Sequence, residues 1–512
     1  MTSPRRADAP LRRADFLSAH GVLVVTRPTP PAPPRAAGQP AAVPGDPTEG
    51  DEVLLAVWDD GSVTALHGHV DLGTGIRTAL AQVVAEELDI PLHRLNMVLG
   101  DTARAPNQGA TIASASLQIH AAPLRAAAAQ ARGWLLARAA ERLATAAEDL
   151  RIDDGVVRPR ADEDARRIAI GELVAGGRTV LSLDAATPTK PAADYRIVGT
   201  PQPRVDIPAK LAGELVFVHD MRLPGMLHGR VVRPPYAGAD HGDFIGNTLE
   251  SVDRESVRHI PGLRAVVVQR DFVGVVADRE EHAEQAMREL RVTWKPWPGM
   301  PDLSDLAQAL RDHPSTQRLL VDDGDIDTAI GQAAQRLRRT YVWPYQMHAS
   351  IGPSCAVAHW LAPTADAPDA PEGGDGRADG AATALRVWAG TQNPHVLRAD
   401  LARLTALRDP QVEVVRMEAA GCYGRNGADD VAADAALLSR AVGAPVRVQL
   451  TREQEHAWEP KGAAQLMEVD GGLDADGAFA AYDFETSYPS NGAPTLALLL
   501  TRAVEPVAQA YE

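Results

Sequence analysis

The sequence has very little cysteine and few aromatic residues. Its 512 residues include only two cysteines, Cys355 and Cys422, and aromatic side chains make up 4% of the chain. The common iron–sulfur clusters need four protein ligands, and structural zinc sites usually need two to four cysteines. No C-x-x-C or C-x-x-C-H motif is present, which argues against an iron–sulfur cluster, a zinc site, an attached haem and a disulfide framework. Redox chemistry on this chain must therefore use a non-protein cofactor or a partner chain.

The chain also lacks an excess of positive charge and long apolar runs. Lys and Arg total 51 against 68 for Asp and Glu, a net charge of −17, which argues against nucleic acid as a partner. No apolar run reaches the ~18 residues that span a bilayer. Arg12 and Arg13, followed by the apolar stretch 16–25, resemble a degenerate twin-arginine export signal. We therefore expect a cytoplasmic protein, or a periplasmic or membrane-associated one if that segment acts as a signal.

The length and the mixture of helical and strand patterns predict an α+β fold with several domains. A Pro-, Ala- and Gly-rich start predicts a tail or linker over 1–50. The apolar patterns that follow predict units at 51–190, 195–298 and 304–512. An acidic stretch rich in Ala, Asp, Pro and Gly predicts a disordered insertion at 361–383, and its two flanks can pair as a hairpin.

Local patterns place three small-residue loops between strands and helices. The Asp60-Gly61 turn between two β-prone runs predicts a hairpin over 53–66. Helical spacing predicts helices directly after Gly75 and at 117–147, 280–290, 326–337, 395–407 and 429–441. Three such loops, far apart in the sequence, suggest that their main-chain groups bind one extended polyanionic cofactor.

The first loop is Gly73-Thr74-Gly75. Free main-chain N–H groups at the start of a helix favour an anion such as phosphate. The segment is not a dinucleotide fingerprint, because Thr78 stands where the third glycine of G-x-G-x-x-G belongs. A strand-to-helix turn that needs a flexible backbone explains the same glycines.

The second loop, 109–116, offers the hydroxyl groups of Thr111, Ser114 and Ser116 on small residues that a ligand can approach closely. A helix cap with tight packing is the alternative explanation. The third loop, 420–427, has glycines whose N–H groups can reach an oxyanion.

Two residues of the third loop have chemistry of their own. Arg425 can pair with a phosphate, whereas a tight turn capped by Asp429 is the alternative. Cys422 is either a reactive thiol or inert packing.

Two further segments carry polar side chains next to predicted elements. Gln346 and His348 follow a strand, so they either face a ligand or belong to a hydrogen-bonded interior. Gln392 and Asn393 precede a helix, where they act as amide donors to a ligand or as caps.

Seven segments, taken together and in order, resemble the large molybdopterin-binding subunit of the xanthine dehydrogenase/aldehyde oxidase family. The closest branch is that of nicotinate dehydrogenase and isoquinoline oxidoreductase. The matching segments are 68–82, 100–102, 109–116, 205–210, 221–228, 390–395 and 418–430. The resemblance implies an α/β-hammerhead domain at 195–298 and molybdopterin-binding lobes at 51–190 and 304–512.

The resemblance also implies a set of cofactor-binding residues. Thr74 stands where most relatives have the glutamine of a Gly-Gln-Gly loop, Gln346 matches the glutamine that hydrogen-bonds the apical molybdenum oxygen, and Tyr423 begins the aromatic-Gly pair beside the metal. No protein side chain is expected to ligate the metal, since the pterin holds it. The implied residues are Gly73, Thr74, Gly75, Thr111, Ala113, Ser114, Ser116, Gln346, Gln392, Cys422, Tyr423, Gly424 and Arg425.

The activity that the resemblance implies is the oxidative hydroxylation of an N-heteroaromatic or aldehyde substrate with oxygen from water. The expected cofactor is molybdopterin with molybdenum, as the cytosine dinucleotide. Since no iron–sulfur cluster or haem is expected on this chain, electrons would pass to a small [2Fe–2S] subunit, and then to a cytochrome c or another acceptor.

One feature departs from the family pattern. The family's catalytic base is a glutamate in a Gly-x-Gly-Glu motif near the C-terminus, and no such motif occurs in this sequence. The resemblance places that glutamate beyond Glu512. We therefore also expect that the chain is a truncated or split non-catalytic half, with a second chain completing the C-terminal lobe.

Overall fold

The computed structural model describes residues 5–29, 49–161, 166–236, 244–297, 299, 302–361, 383–489 and 495–504. Helices and strands are mixed in several sheets, so the predicted α+β class is confirmed. Within these ranges no helix is both long and apolar enough to cross a bilayer.

The strands and helices follow one another along the whole described chain. The strands are β1 (Val22–Arg27), β2 (Glu52–Trp58), β3 (Val63–His67), β4 (Leu95–Leu99), β5 (Leu150–Asp153), β6 (Val156–Pro159), β7 (Ile168–Ala169), β8 (Arg178–Ser182), β9 (Leu227–Val232), β10 (Leu249–Asp253), β11 (Leu263–Gln269), β12 (Phe272–Ala277), β13 (Arg291–Trp294), β14 (Gln335–Trp343), β15 (Cys355–Trp360), β16 (Leu385–Ala389), β17 (Val412–Arg416), β18 (Val446–Gln449), β19 (Gln465–Leu473) and β20 (Phe479–Ser487). The helices are α1 (Arg13–Ser18), α2 (Ile76–Leu88), α3 (Ala115–Gln118), α4 (Ala121–Leu143), α5 (Ile170–Val174), α6 (Ile207–Leu211), α7 (Glu280–Glu289), α8 (Leu306–Asp312), α9 (Ile326–Gln332), α10 (Pro394–Thr405), α11 (Ala428–Val442), α12 (Arg452–Trp458) and α13 (Leu496–Leu500).

The first sheet has the strand order β4-β3-β2-β1-β8. The predicted hairpin forms its centre, since β2 and β3 pair antiparallel around the Asp60-Gly61 turn. All seven residues of β2 are buried, because α2 and α4 pack one aliphatic face and α1 packs the other. Small side chains such as Ala127 and Ala131 let α4 lie close to this sheet.

The prediction of a tail over 1–50 is wrong for the described residues at its start. β1 pairs antiparallel with β2 and parallel with β8, and Phe16 of α1 packs on Trp58 with ring centroids 5.8 Å apart. Arg13, Phe16 and the β1 residues 22–26 are buried, whereas Ser18 and His20 between them are exposed. The sequence pattern missed this strand because its partners are distant in the chain. Residues 30–48 lie outside the described ranges.

The second large sheet has the order β11-β12-β9-β18-β15-β16-β17. It crosses the predicted boundary between units 195–298 and 304–512, because β9 pairs directly and in parallel with β18. Helix α11 lies across the sheet, and Gly229 and Gly274 make room for it. A Cβ atom at either glycine would lie 2.7–2.8 Å from a Leu438 methyl group.

The predicted pairing across the insertion is confirmed, since β15 and β16 are antiparallel neighbours. The predicted disordered insertion itself, 361–383, lies almost entirely outside the described residues. The predicted helix over 326–337 ends at Gln332, and β14 begins at Gln335 instead. β14 extends into an exposed sheet with β19 and β20 because it pairs with β19 over nine residues.

Candidate cofactor site

Two strand pairs present their carboxyl ends to one another. β3 and β4 are parallel in the first sheet, and β16 and β17 are parallel in the second. Thr102, which follows β4, joins the two sheets, because its N–H donates to Val414 O at 3.1 Å and its Oγ1 accepts from Val414 N at 2.9 Å. Within each sheet the loops that follow the two parallel strands leave from the same edge, and the contact between Thr102 and Val414 brings the two sheets together there.

Asp71 organises the loop between β3 and α2. Its carboxylate accepts hydrogen bonds from the N–H groups of Gly73 at 2.8 Å, Gly75 at 3.2 Å and Arg77 at 3.0 Å. Burial by itself would raise the pKa of Asp71, but these three donors outweigh it and lower the pKa below its ordinary value. The N–H groups of the two glycines are therefore taken by Asp71, which corrects the expectation that they are free.

The outer edge of the same loop remains open. Gly73 has a φ of +99°, and no atom lies within 4 Å of the position of a Cβ there. Thr74 beside it is exposed. Two arginines from other segments fasten the loop, since Arg204 donates to Gly73 O at 2.9 Å and Arg416 donates to Asp71 O. A ligand can thus reach exposed main chain on a loop that is held in one shape.

Thr111 ties the second loop to both sheets. Its Oγ1 accepts from Val70 N at 2.9 Å, and its own N–H donates to Gln392 O at 2.9 Å. Gln392 Nε2 donates back to Thr111 O at 3.1 Å. The Thr111 hydroxyl therefore has a structural role, whereas Ala113 and Ser114 are exposed and have positive φ values of 53° and 57°.

Gln392 and Cys422 link the second loop to the third by a hydrogen bond. The Cys422 thiol donates to Gln392 Oε1 at 3.0 Å, and Cys422 is 3% exposed. Burial raises the pKa of the Cys422 thiol, so inert packing is favoured over a reactive thiol at this position. Cys355 is likewise inert, because burial raises its pKa to about 12. Both ends of the Gln392 amide are occupied by protein, so this side chain joins loops.

The third loop presents exposed groups at the same place. Tyr423 is 63% exposed with a φ of 53°, and Gly424 has a φ of 128°. Positive φ is costly for a residue with a side chain and concentrates at functional sites. Arg425 is paired with Asp429 at 3.2 Å, so it would have to share its guanidinium with any phosphate.

His348 joins the segment after β14, residues 346–349, to the third loop. Its Nδ1 lies 3.2 Å from Tyr423 O, and a Cβ at Gly424 would lie 2.4 Å from that nitrogen. Glu459 accepts from the N–H groups of His348 at 2.8 Å and of Ala349 at 3.1 Å. Gln346, two residues earlier, is exposed, and its main chain forms an isolated β-bridge with Gly462.

The structure thus gathers the predicted residues around one open surface and adds others that the sequence reasoning missed. The added residues are Asp71, Glu459, three histidines and Glu455, whose carboxylate accepts from the N–H groups of Ser354 and Gly427. Asp71 had a readable signal, since an Asp two residues before a glycine is typical of a side-chain-capped turn. Glu455 and Glu459 had none, because they act on segments far away in the chain.

The histidines are His67, His69 and His120, which lie beneath the second loop. The ring centroids of His69 and His120 are 4.3 Å apart, and those of His67 and His69 are 5.5 Å apart. Burial and the neighbouring imidazoles lower the pKa of His67 to about 3 and that of His69 to about 4. Burial also lowers the pKa of His120, so all three are neutral at pH 7. In the described part of the chain, no group of three or more His, Cys, Asp or Glu is placed to hold a metal ion.

Two cavities of about 270 and 560 Å³ lie elsewhere. The smaller is lined by residues such as Val83 and Tyr195, and the larger by residues such as Asn247 and Arg270. Neither is lined by a predicted site residue.

Comparison with known proteins assigns the chain. Residues 6–201 and 371–512 match two models of the molybdopterin cofactor-binding domain. The chain is 60% identical to a nicotinate dehydrogenase subunit of Pseudomonas putida, over 98% of this chain and 40% of that protein. It is 28% identical to the beta subunit of isoquinoline 1-oxidoreductase of Brevundimonas diminuta, over 86% of this chain and 59% of that protein. Among solved structures, quinoline 2-oxidoreductase of Pseudomonas putida 86 matches with a TM-score of 0.42 and 19% identity, over 56% and 39% of the two chains.

The chain belongs to the molybdopterin-binding proteins of the xanthine dehydrogenase family. Its similarity to the nicotinate dehydrogenase and isoquinoline 1-oxidoreductase subunits agrees with the branch that the sequence resemblance predicted. The chain spans about 40% of the length of the Pseudomonas putida relative. The first domain model begins at residue 6, in agreement with the buried strand β1.

Proposed function

We propose that this chain holds a molybdopterin cofactor for the oxidative hydroxylation of an N-heteroaromatic substrate, with an aldehyde as the second substrate class. The observation that carries the proposal is the convergence of the predicted loops through the Thr111–Gln392–Cys422 chain of hydrogen bonds. Nicotinate is the first candidate, since the relative with 60% identity is part of a nicotinate dehydrogenase.

The exposed groups of the gathered loops fit an extended anionic ligand. Gly73 and Gly109 each have open space where a Cβ would stand, so a ligand can approach both loops closely, while their N–H groups are bonded to Asp71 and Asn107. Thr74 and Ser114 offer exposed hydroxyls, and Arg425 offers a partly exposed cation. These residues would bind and orient the pterin and its phosphates, which we propose to be those of the cytosine dinucleotide.

When bound, the cofactor supplies the two-electron oxidation and the insertion of oxygen from water. The residues of this chain position it. Asp71 keeps the Gly73 edge in shape, Gln392 keeps the second and third loops in register, and His348 holds Tyr423 at the surface. Electrons would leave through a partner [2Fe–2S] subunit, and then through a cytochrome c or another acceptor, since this chain has only two buried and separate cysteines.

A second candidate function is a non-catalytic half that cradles the cofactor beside a second chain. The resemblance places the catalytic base in a Gly-x-Gly-Glu motif, and no such motif occurs in these 512 residues. Both candidates need the same cofactor surface, and they differ in where the catalytic base lies.

The test is the cofactor content of the chain purified with its partner chains. We expect molybdenum and a pterin nucleotide in equal amounts, and nicotinate-dependent reduction of an electron-accepting dye. Cofactor without activity would favour the non-catalytic half, and a preparation without pterin would contradict both candidates.

A pair of glycine variants locates the cofactor on this surface. Gly73→Leu should reduce pterin content at least about tenfold, because the side chain fills the space beside the loop. Gly176→Leu is the matched control, since Gly176 is also exposed, has a φ of +75° and has open space, but lies outside the gathered loops. Equal losses in the two variants would show that backbone strain explains the result.

A further inference from the structure

Ser116 shares its hydroxyl proton with a histidine. Ser116 Oγ lies 2.8 Å from His69 Nδ1, and the other ring nitrogen, Nε2, lies 3.2 Å from the main-chain oxygen of Gln108. A carbonyl oxygen only accepts hydrogen bonds, so Nε2 carries a proton. In a neutral ring Nδ1 then has only a lone pair, and Ser116 must donate its proton to His69.

This direction of the hydrogen bond, from Ser116 to His69, opposes the binding of an anion. With its proton committed to His69, Ser116 presents only lone pairs to the second loop, and phosphate oxygens are also acceptors. If His69 gains a proton at Nδ1, it donates to Ser116 Oγ instead. The Ser116 O–H is then released and can donate to an anion on the loop.

We propose that His69 is a positioning residue that takes up one proton when an anion binds at the 109–116 loop, and so reverses the Ser116 hydrogen bond. The proposal deepens the proposed function and rests on it. The balance is simple, because one proton moves from solvent to His69 Nδ1 and no covalent bond to a heavy atom changes. The ligand class is a phosphate-bearing group or another tetrahedral dianion.

The surroundings of His69 keep it neutral in the absence of an anion. His67 and His120 face it, and the positive charge of Arg27 on β1 acts on His120. Glu52 on β2 faces the same region, but it is bonded to Arg27 at 2.8 Å and to the N–H of Asn107 at 2.6 Å. An anion bound at the loop supplies a negative charge next to His69 and so stabilises its protonated form.

The pH dependence of anion affinity follows from the direction in which the pKa of His69 is shifted. Burial and the charge of His120 lower the pKa of His69 to about 4, and a bound dianion raises it again. Affinity for the anion should therefore increase as the pH falls toward that value, by at most about tenfold per pH unit for one linked proton. Above the pKa of the anion-bound state the affinity should become constant.

The probe is sulfate, since its charge does not change between pH 5 and 8, unlike that of phosphate. Titration calorimetry of the cofactor-free chain, in two buffers with different heats of ionisation, gives the number of protons taken up per sulfate. We expect up to about one proton at the acidic end of that range. Selective 15N labelling of histidine should show one Nδ1 becoming protonated on sulfate addition.

Three variants decide between this proposal and simple charge attraction. Ser116→Ala and His69→Asn should each abolish the proton uptake, because both partners are needed to move the hydroxyl proton. His120→Asn removes the neighbouring imidazole and should leave the uptake in place. A Ser116→Ala protein that still takes up a proton would overturn the proposal, and so would a wild-type chain that takes up none.

The failure of the proposed function gives a different result. Enzyme purified without pterin contradicts that function, whatever sulfate does. Enzyme with pterin but no sulfate-linked proton uptake contradicts only the role of His69.

Discussion

The two edges that form the proposed cofactor surface, the loop at 71–77 and the loop at 420–427 with 346–349, are held in shape by carboxylates of different origin. On the first sheet Asp71 binds N–H groups no more than six residues away. On the second sheet Glu455 and Glu459, both at α12 or its end, bind groups 28 to 111 residues away. The comparison teaches that the first edge carries its own acceptor, whereas the second edge takes its shape only when α12 has docked.

Burial explains why these long-range contacts matter. Glu455 is 0% exposed, and its carboxylate accepts from Ser354 N at 2.7 Å, Ser354 Oγ at 2.9 Å and Gly427 N at 3.4 Å. A buried donor that loses its acceptor also loses water as a substitute. Removal of the remote carboxylate should therefore cost more than removal of the local one, whose loop is partly exposed.

The largest expected effect is that of Glu455→Ala. It leaves the donors of Ser354 and Gly427 without an acceptor, at ~1–3 kcal/mol for each buried group, so we expect the free energy of unfolding to fall by about 4 kcal/mol. Urea denaturation measures this, and hydrogen exchange should accelerate at 421–427. Glu453→Ala is the control, because Glu453 is an exposed residue on the same helix and its loss should change stability by less than about 0.5 kcal/mol. If the two variants lost equal stability, the buried Glu455 carboxylate would not be what holds the second edge in shape.

The next effect compares one glycine from each edge. Gly424→Ala places a methyl group 2.4 Å from His348 Nδ1 at a φ of 128°, so both a clash and backbone strain arise. We expect a loss of about 3 kcal/mol, against about 1–2 kcal/mol for Gly73→Ala, which has strain without a clash. Thermal unfolding of the two variants measures the difference. If Gly73→Ala were the more damaging variant, the first edge would be the more constrained of the two.

The smallest effect is that of Asp71→Asn. The amide NH2 cannot accept the hydrogen bonds that one carboxylate oxygen accepts, so we expect a loss of about 1–2 kcal/mol at pH 7. Because the pKa of Asp71 is lowered in the folded protein, its stabilisation is present above its ordinary pKa and is lost as the pH falls through the lowered value. The difference between wild type and variant should therefore shrink in acid. Urea midpoints from pH 7 downward test this, and a difference independent of pH contradicts it.

Much of the fold could be predicted because the signals are local. The Asp60-Gly61 hairpin, α2, α10 and α11 follow from turn chemistry and periodicity. The predicted helix over 117–147 is present as α4, but a separate short helix, α3, precedes it, and the two are interrupted at Ile119 and His120. Strand β1 was missed, since its pairing with β8 joins residues about 155 apart, and no local pattern reports that.

The candidate site shows the same division. The predicted loops do meet, but the expected free N–H groups of Gly73 and Gly75 are occupied by Asp71, and the Gln392 amide serves Thr111 and Cys422. Which polar groups a protein uses for itself depends on distances between segments. The roles of the site residues toward the cofactor remain predictions.

By itself the sequence determined the residue types, the small-residue loops at strand ends and the family, because these depend on composition, spacing and motif order. Only the tertiary structure decided which donors are open to a ligand. Glu455 reaches Gly427 and His69 reaches Ser116 because the chain folds back on itself. Hydrogen bonds are directional and act over about 3 Å, so their partners cannot be read from order along the chain.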